Sequence, residues 1–257
     1  MDDNNIKNVT VLYEEECYVK KALELAGRLG ISVADDKDKV TTELYLLIND
    51  DGLSLSDGKN TMRGDFSQKL SRLKPNNLNG ELLVKASKIK GVKEELTLID
   101  ATAGMGEDSL ILAASGFNVK LYEYNPIIRE LLKDTMDRAK QNPDLEAIVN
   151  RMELCGADSI EAMENLSYKA DVILLDPMFP ARQKSALVKK KFQLLQHLEQ
   201  PCSNEEDLLS AAISVHPRKI VIKRMAKGPY LAGRKPDYSL QGKAIRYDII
   251  NSVSNMS

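Results

Sequence analysis

From residue 96 onward, short apolar runs alternate with longer segments of helical spacing. The apolar runs fall at 96–99, 119–122, 152–155, 172–175 and 220–222. The helical segments fall at 108–115, 126–140, 159–166, 184–198 and 204–213, and a capping-box pattern at 203–206 opens the last one. Parallel strands need crossover helices and lie buried on both faces. The alternation therefore predicts an α/β fold whose doubly wound, mostly parallel sheet is Rossmann-like.

The two ends of the chain do not follow this alternation of strands and helices. A Gly/Pro-rich stretch at 228–242 leads to a predicted final strand at 243–250. Near the start, a helical stretch at 17–29 precedes a strand-like run at 44–48, and turn signals at 49–52 and 56–58 predict an antiparallel hairpin. Residues 74–80 have the composition of a linker, and helical spacing follows at 81–89. We expect a small N-terminal α/β lobe at 1–75 and a Rossmann-like domain at 76–257.

Composition excludes several other classes of protein. Apolar stretches such as 110–114 are far shorter than the roughly 20 residues that a membrane-spanning helix needs. The three cysteines are widely spaced and the chain has only two histidines, which supports neither a disulfide framework nor a zinc site. The first residues are polar and acidic, unlike a secretory signal. We expect a cytoplasmic monomer without a bound metal.

Charge is divided unevenly along the chain. Residues from Asp176 to the end carry a net charge of +7, whereas residues 1–175 carry −9. Such a division is typical of proteins that dock a polyanion on their basic half. Uneven but solvated surface charge explains the division equally well at this point.

The first strand of the alternation runs into a glycine turn at 100–108, DATAGMGED. Gly104 and Gly106 would let a ligand approach the backbone, and Asp100 ends the strand beside them. Glu123 ends the second strand, where a carboxylate can accept hydrogen bonds from ribose hydroxyls. Together these features predict a nucleotide-type site.

The charge of the turn indicates which nucleotide it would take. A dinucleotide pyrophosphate would bind at the N-terminus of the following helix. Glu107 and Asp108 occupy that position, and Ser109 replaces the third glycine of the dinucleotide fingerprint. S-adenosylmethionine (SAM) has no phosphate and carries two cationic groups, so it suits this site better. Complementing the helix dipole is a second explanation for the two carboxylates.

Asp158 and Ser159 follow the third strand. In a site of this type, an Asp at this position meets the adenine amino group. The same pair is also a good helix N-cap. The sequence supports both interpretations equally.

The fourth strand ends in the turn DPMFP at 176–180. The Asp176 carboxylate and the Pro177 carbonyl can accept hydrogen bonds from an exocyclic amino group, and Phe179 can stack on its base. Acceptance of both N–H bonds would aim the nitrogen lone pair at a methyl donor. We predict catalytic roles for these three residues, with an ordinary proline turn around a buried Phe as the alternative.

Cations cluster after this turn and along the fifth strand. Phosphate contacts need cations of this kind, although each one alone could simply be a solvated surface residue. The predicted RNA-binding residues are Arg182, Lys184, Lys189, Lys190, Lys191, Lys223 and Arg224.

Four of these motifs together resemble the RsmJ (YhiQ) family. They are the glycine turn at 100–108, the EYNP segment at 123–126, the LDPMFP segment at 175–180 and the QKSALVKK segment at 183–190. The resemblance covers roughly residues 63–250. It implies a class I SAM-dependent methyltransferase that modifies the N2 amino group of a guanine in 16S ribosomal RNA of the small ribosomal subunit. By the same resemblance, cofactor contacts would fall on Glu107, Asp108, Glu123, Tyr124, Asp158, Ser159 and Asp176.

Other functions remain open at this point. The first alternative is a methyltransferase acting on another RNA, on protein or on a small molecule. An NAD-dependent oxidoreductase and a non-catalytic RNA-binding module are the others.

Overall fold

The computed structural model of the chain describes residues 8–92, 94–156, 158–177, 194, 198 and 204–251. These ranges contain a five-stranded sheet and a seven-stranded sheet. The smaller sheet consists of β1 (Val9–Tyr13), β2 (Ser32–Ala34), β3 (Leu44–Asn49), β4 (Gly52–Ser56) and β5 (Thr61–Met62). The larger sheet consists of β6 (Thr97–Asp100), β7 (Asn118–Tyr122), β8 (Met152–Gly156), β9 (Val172–Leu175), β10 (Lys219–Met225), β11 (Tyr238–Gln241) and β12 (Ile245–Asn251).

The α-helices of the described ranges lie between and beside these strands. They are α1 (Val19–Leu29), α2 (Leu70–Leu73), α3 (Pro75–Leu78), α4 (Leu82–Ser87), α5 (Glu107–Ala114), α6 (Pro126–Ala139), α7 (Glu146–Val149), α8 (Ser159–Glu164) and α9 (Glu205–Ser214). In the part of the chain described here, none of the helices combines the length and the apolar character needed to cross a membrane.

The larger sheet has the strand order β11-β12-β10-β9-β6-β7-β8. The five strands from β10 to β8 in this order are parallel, whereas β12 and β11 pair in antiparallel fashion at one edge. The chain leaves β6 to form β7 on one side and returns to form β9 on the other. A ligand-binding crevice is expected at such a switch point, outside the carboxyl ends of the strands. The predicted doubly wound α/β fold is thus confirmed.

Alternating residues of each central strand pack into different layers. Leu174 of β9 and Val221 of β10 share a core with Leu110 of α5. Ile173 of β9 and Ile222 of β10 instead pack with Leu208 and its neighbours on α9. Because both faces are covered, these strands are continuous apolar runs, which is why the sequence pattern found them.

The smaller sheet contains the predicted antiparallel hairpin, because β3 pairs with β4 in antiparallel fashion and Asn49 lies opposite Gly52. This sheet rests on α6. Asp134 Oδ2 accepts a hydrogen bond from Leu53 N–H at 3.0 Å, and Arg138 Nη2 donates to the Gly64 carbonyl at 2.6 Å. A division of the chain into domains at residue 75 stays a prediction.

Three local expectations are corrected. Residues 74–80 do not form an extended linker, since they contain α3 and its buried Leu78. The N-cap of α9 is Asn204, one residue later than the capping-box pattern predicts, and its side chain makes no capping hydrogen bond. Ser203, the first residue of that pattern, lies outside the described residues. Strand β11 was not predicted, because it is an edge strand whose residues are mostly exposed and therefore lack an apolar run.

The glycine turn after β6 depends on two positive φ angles, 54° at Gly104 and 74° at Gly106. A Cβ at Gly106 would stand 2.6 Å from Leu132 Cδ1 of α6 and 3.3 Å from Phe66 Cζ. By contrast, no atom lies within 4 Å of where a Cβ would stand at Gly104. The turn is therefore packed at Gly106 and open at Gly104.

Gly106→Ala should lower the free energy of unfolding by about 2–4 kcal/mol, because it adds left-handed strain and overpacks a fully buried Leu132. Urea unfolding followed by circular dichroism measures the change. Gly27→Ala is the matched control. Gly27 lies inside α1 with nothing within 4 Å of its Cβ position, so alanine there should stabilise the protein by about 0.5–1 kcal/mol. Equal effects of the two substitutions would contradict this account of the turn.

The carboxyl group of Asp100, at the end of β6, is buried. Its oxygens accept hydrogen bonds from Ser109 Oγ at 2.5 Å and from Thr102 N–H at 3.2 Å. Burial raises the pKa of Asp100 from 3.8 to about 7, although the hydrogen bond from Ser109 opposes the shift. The folded protein therefore binds this proton more tightly than the unfolded chain does. Ionisation of Asp100 costs stability, and that cost grows between pH 4 and pH 7.

Asp100→Asn should stabilise the protein at pH 8, by at most about 4 kcal/mol, because the amide keeps the acceptor for Thr102 and carries no charge to bury. The advantage should shrink as the pH falls toward 5, where Asp100 is increasingly protonated. Thermal unfolding of both proteins across this pH range tests the prediction. Asp144→Asn, at an exposed position, is the control. The prediction would be contradicted if the difference in stability between Asp100→Asn and the unsubstituted protein did not change with pH.

Candidate active site

Functional side chains collect at the carboxyl edge of the larger sheet. Asp100 ends β6, Glu123 follows β7 and Asp176 follows β9. Lys223 lies beside Asp176, because the preceding residue of β10, Ile222, pairs with Leu175 at the end of β9. These residues stand at the switch point of the sheet, where the fold places a ligand crevice.

Glu123 holds the open part of the glycine turn. Its Oε2 accepts a hydrogen bond from Gly104 N–H at 2.7 Å, and its Oε1 accepts one from Asn125 N–H at 2.8 Å. Burial raises the pKa of Glu123 above its ordinary value, and these two backbone donors oppose the shift. A carboxylate has about four acceptor positions. Two remain after these contacts, as many as a pair of ribose hydroxyls needs.

Lys223 bridges two carboxylates. Its Nζ lies 2.6 Å from Asp108 Oδ2 and 2.8 Å from Asp176 Oδ2. Burial alone would lower the pKa of the Lys223 ammonium, but the facing Asp176 and Asp108 raise it above its ordinary value. Burial raises the pKa of Asp176, and Lys223 opposes that shift. The ammonium group of Lys223 is thus held in the crevice by two carboxylates, and its contact with RNA stays a prediction.

The acidic start of α5 is also neutralised at Glu107, whose Oε2 lies 2.5 Å from Lys69 Nζ. The sequence argument against a pyrophosphate depends on the negative charges of Glu107 and Asp108. Each of them faces a lysine from a distant part of the chain, so these charges give less support for SAM than the sequence alone indicates. No pattern within 100–108 could have revealed these partners.

Asp176 is also held through its backbone. Its N–H donates to Thr102 Oγ1 at 2.7 Å, which ties the end of β9 to the residues after β6. Pro177 is buried. Phe179, the third predicted catalytic residue, lies outside the described residues, as do Arg182, Lys184, Lys189, Lys190 and Lys191 of the predicted RNA-binding set.

Three further candidates lie around the crevice. Asp158 is the N-cap of α8, and its Oδ1 accepts from Ile160 N–H at 2.9 Å and from Glu161 N–H at 3.2 Å. The capping interpretation is thereby confirmed, and a contact between Asp158 and adenine stays a prediction. Ser159 is buried, whereas Tyr124 is exposed beside Glu123.

Arg224 is removed from the predicted RNA contacts, because its side chain is fully buried. Its Nε donates to the Pro229 carbonyl at 3.0 Å, and its Nη1 lies 3.2 Å from Glu205 Oε1. Lys223 and Arg224 are neighbours in a strand and therefore point to opposite faces of the sheet. Lys223 reaches the crevice, and Arg224 reaches the layer of α9.

Comparison with known proteins agrees with this geometry. A family described as "Putative SAM-dependent methyltransferase" matches residues 24–252. A ribosomal RNA small subunit methyltransferase J from Pseudomonas aeruginosa is 38% identical over 232 residues, which cover 87% of each chain. Another protein of that name, from Thioalkalivibrio sulfidiphilus, is 35% identical over 252 residues, or 94% of this chain and 96% of the relative.

The structural similarity is equally broad. The crystal structure of a SAM-dependent methyltransferase from Neisseria gonorrhoeae has a TM-score of 0.75 and 27% identity to this chain, and the match covers 95% of this chain and 96% of the other. The resemblance drawn from the four sequence motifs is thereby confirmed. Similarity of this extent along nearly the whole length is a family relationship, and the chain belongs to the SAM-dependent methyltransferases, together with the ribosomal RNA small subunit methyltransferase J proteins.

Proposed function

We propose that this protein transfers a methyl group from SAM to the exocyclic N2 amino group of a guanine in 16S ribosomal RNA, either free or in the small ribosomal subunit. The observation that carries the proposal is the placement of Asp176. Its Oδ2 is held by Lys223, and among the described residues no donor occupies its Oδ1. A carboxylate oxygen at the carboxyl edge of the sheet is therefore free to accept an N–H bond from a base. The names of the curated relatives support RNA as the substrate.

The residues of the crevice fit SAM. The open side of Gly104 gives room for a ligand against the backbone, and the remaining acceptor positions of Glu123 suit the ribose hydroxyls. Asp108 and Asp176 carry two negative charges against the single positive charge of Lys223, which favours a ligand with cationic groups. Family membership argues against the NAD-dependent alternative. The other proposed contacts to SAM come from Asp158, Ser159 and Tyr124, and Asp158 is the one proposed to meet the adenine amino group.

Bound SAM would supply an electrophilic methyl group on a positively charged sulfur. The part of Asp176 in the transfer is to accept one N–H bond of the guanine amino group, which favours a pyramidal nitrogen and directs its lone pair at the methyl carbon. SAM would be held at the open side of Gly104 and at Glu123, and it would supply the methyl group while its sulfur takes up the electron pair of the broken carbon–sulfur bond. Positive charge then develops on the amino group next to the Asp176 carboxylate, which stabilises it. The surplus proton of the methylated amine leaves to water.

Lys223 is a positioning residue in this scheme. It fixes the orientation of the Asp176 carboxylate through an ion pair of 2.8 Å, and its charge opposes the rise that burial causes in the pKa of Asp176. The proposed RNA contacts at Arg182, Lys184, Lys189, Lys190 and Lys191 would hold the phosphates around the target guanine. We further propose that the protein acts as a monomer in the cytoplasm, where its ribosomal substrate is found, and that residues 1–75 form a separate lobe.

Asp176→Asn should lower kcat for methyl transfer by on the order of 10²-fold, because it keeps the shape of the side chain and removes the charge that stabilises the transition state. The KM for RNA should change much less. Tritium transfer from labelled SAM to 16S ribosomal RNA measures both constants. Asp144→Asn, an exposed substitution of the same chemistry, should leave them unchanged. Turnover by Asp176→Asn close to that of the unsubstituted protein would remove Asp176 from the mechanism.

Glu123→Ala should weaken SAM binding by about 1.5–3 kcal/mol, since it removes a charged acceptor for the ribose. The substitution also leaves Gly104 N–H and Asn125 N–H without their acceptor. The free energy of unfolding should therefore fall by about 1–3 kcal/mol as well.

Isothermal calorimetry at a temperature where the variant is folded tests the first effect. Glu153→Ala is the control, because Glu153 is an exposed residue of the adjacent strand β8 and pairs with Lys120. An unchanged affinity for SAM in Glu123→Ala would exclude Glu123 from the site.

A further inference from the structure

The segment between β10 and β11, residues 226–237, is held in place by two buried arginines. We call this segment the β10–β11 loop. Arg246 Nη1 donates to the Gly228 carbonyl at 2.8 Å and to the Ala226 carbonyl at 3.2 Å. Arg224 Nε donates to the Pro229 carbonyl at 3.0 Å. Because Arg224 and Arg246 lie opposite each other on neighbouring strands, they fix one side of the loop together.

A carboxylate fixes the other side of the loop. Glu205 of α9 uses Oε1 to pair with Arg224 and Oε2 to accept a hydrogen bond from Ala232 N–H at 3.1 Å. Ala232 has a φ of 47° and ψ of 30°, a left-handed conformation that is strained for a residue other than glycine. The loop therefore keeps a strained backbone because the surrounding contacts determine it.

The contacts that hold this loop carry a cost in folding free energy. Burying an arginine carries a large desolvation penalty even when it is paired, and two are buried here, Arg224 with Glu205 and Arg246 with Asp248. An ordinary surface connection needs none of this, since loops tolerate mobility and sequence change. Strain that is retained in this way is associated with functional segments. The rigidity of the loop points to a surface that must be preset for a partner.

The exposed side of the loop has the chemistry of a nucleic-acid surface. Lys227, Arg234 and Lys235 are exposed, and among the described residues none of them forms an ion pair. Tyr230 is 39% exposed and stacks against Arg246 at 4.9 Å, which holds its ring in place. Next to the loop, Met225 at the end of β10 is 63% exposed. Cations combined with a fixed aromatic ring are typical of surfaces that bind unpaired nucleotides.

The position of the loop connects this surface to the proposed active site. The loop begins three residues after Lys223, whose ammonium group pairs with Asp176. Building on the proposed function, we propose that the β10–β11 loop is a preformed docking surface for single-stranded ribosomal RNA that flanks the target guanine. Lys227, Arg234 and Lys235 contact its phosphates, and Tyr230 stacks on a neighbouring base.

The test is the triple substitution Lys227→Gln, Arg234→Gln and Lys235→Gln in the full chain. Each lost phosphate contact should reduce the slope of log affinity against log salt by about 0.7. We expect the dissociation constant and the KM for 16S ribosomal RNA to rise on the order of 10-fold or more near 0.1 M salt. The affinity for SAM, and kcat at saturating RNA, should stay within twofold of the unsubstituted protein. Filter binding, calorimetry and tritium transfer measure these quantities.

Lys90→Gln, Lys140→Gln and Lys169→Gln together form the matched control. These exposed lysines precede β6, follow α6 and precede β9, so they lie toward the opposite edge of the larger sheet. The control removes the same net charge and should leave RNA affinity and its salt slope nearly unchanged. Equal losses in the two triple variants would overturn the proposal, because they would reflect net charge alone.

The readouts also separate this proposal from the proposed function. RNA binding that depends on the loop, without any methyl transfer by the unsubstituted protein, would refute the proposed function and support the docking surface. Methyl transfer by the unsubstituted protein, with an RNA affinity that the loop substitutions do not change, would support the proposed function and refute the docking surface. An unsubstituted protein that neither binds nor methylates the RNA would refute both.

The stacking role of Tyr230 has its own test. Tyr230→Phe should retain the RNA affinity, whereas Tyr230→Leu should lower it about 5-fold or more.

Discussion

The ion pairs of Lys223 with Asp108 and Asp176 join the three elements that form the crevice. They connect the end of β9, the first turn of α5 and the end of β10 through a single ammonium group. Two carboxylates that face one small space repel each other, and burial raises the pKa of Asp176. The Lys223 ammonium opposes both effects at Asp176. Without this cation, the acidic helix start and the proposed catalytic carboxylate could not share one edge of the sheet.

The cofactor side of the crevice depends on α6 in a comparable way. Glu123 and Asn125 stand at the entrance of this helix, and Asn125 Oδ1 caps it by accepting from Ile127 N–H at 2.9 Å. Farther along the same helix, Asp134 and Arg138 hold the smaller sheet through backbone contacts at Leu53 and Gly64. One helix thus carries both the carboxylate proposed for ribose and the platform on which the N-terminal strands rest.

Much of this architecture could be predicted from sequence because it follows from local periodicity. The apolar runs at 96–99, 119–122 and 172–175 mark the largely buried strands β6, β7 and β9, and they predicted Asp100, Glu123 and Asp176 at the ends of strands. The pairing of Lys223 with Asp176 could not be predicted in this way, since it depends on β10 lying next to β9. Arg224 was wrongly grouped with Lys223 because a count of charges ignores the faces of a strand. The exposed edge strand β11 offered no apolar run to detect.

The opposite orientations of Lys223 and Arg224 also restrict how the length of β10 can change. The strand is anchored upstream by pairing with β9 and β12. Inserting or deleting one residue before position 223 would reverse the faces of every residue that follows. A deletion would place the Arg224 guanidinium in the crevice between the carboxylates. An insertion would place the Lys223 ammonium beneath the β10–β11 loop, where it lacks the planar fork that reaches Pro229 and Glu205 together. The number of residues in β10 up to Arg224 is therefore expected to stay fixed.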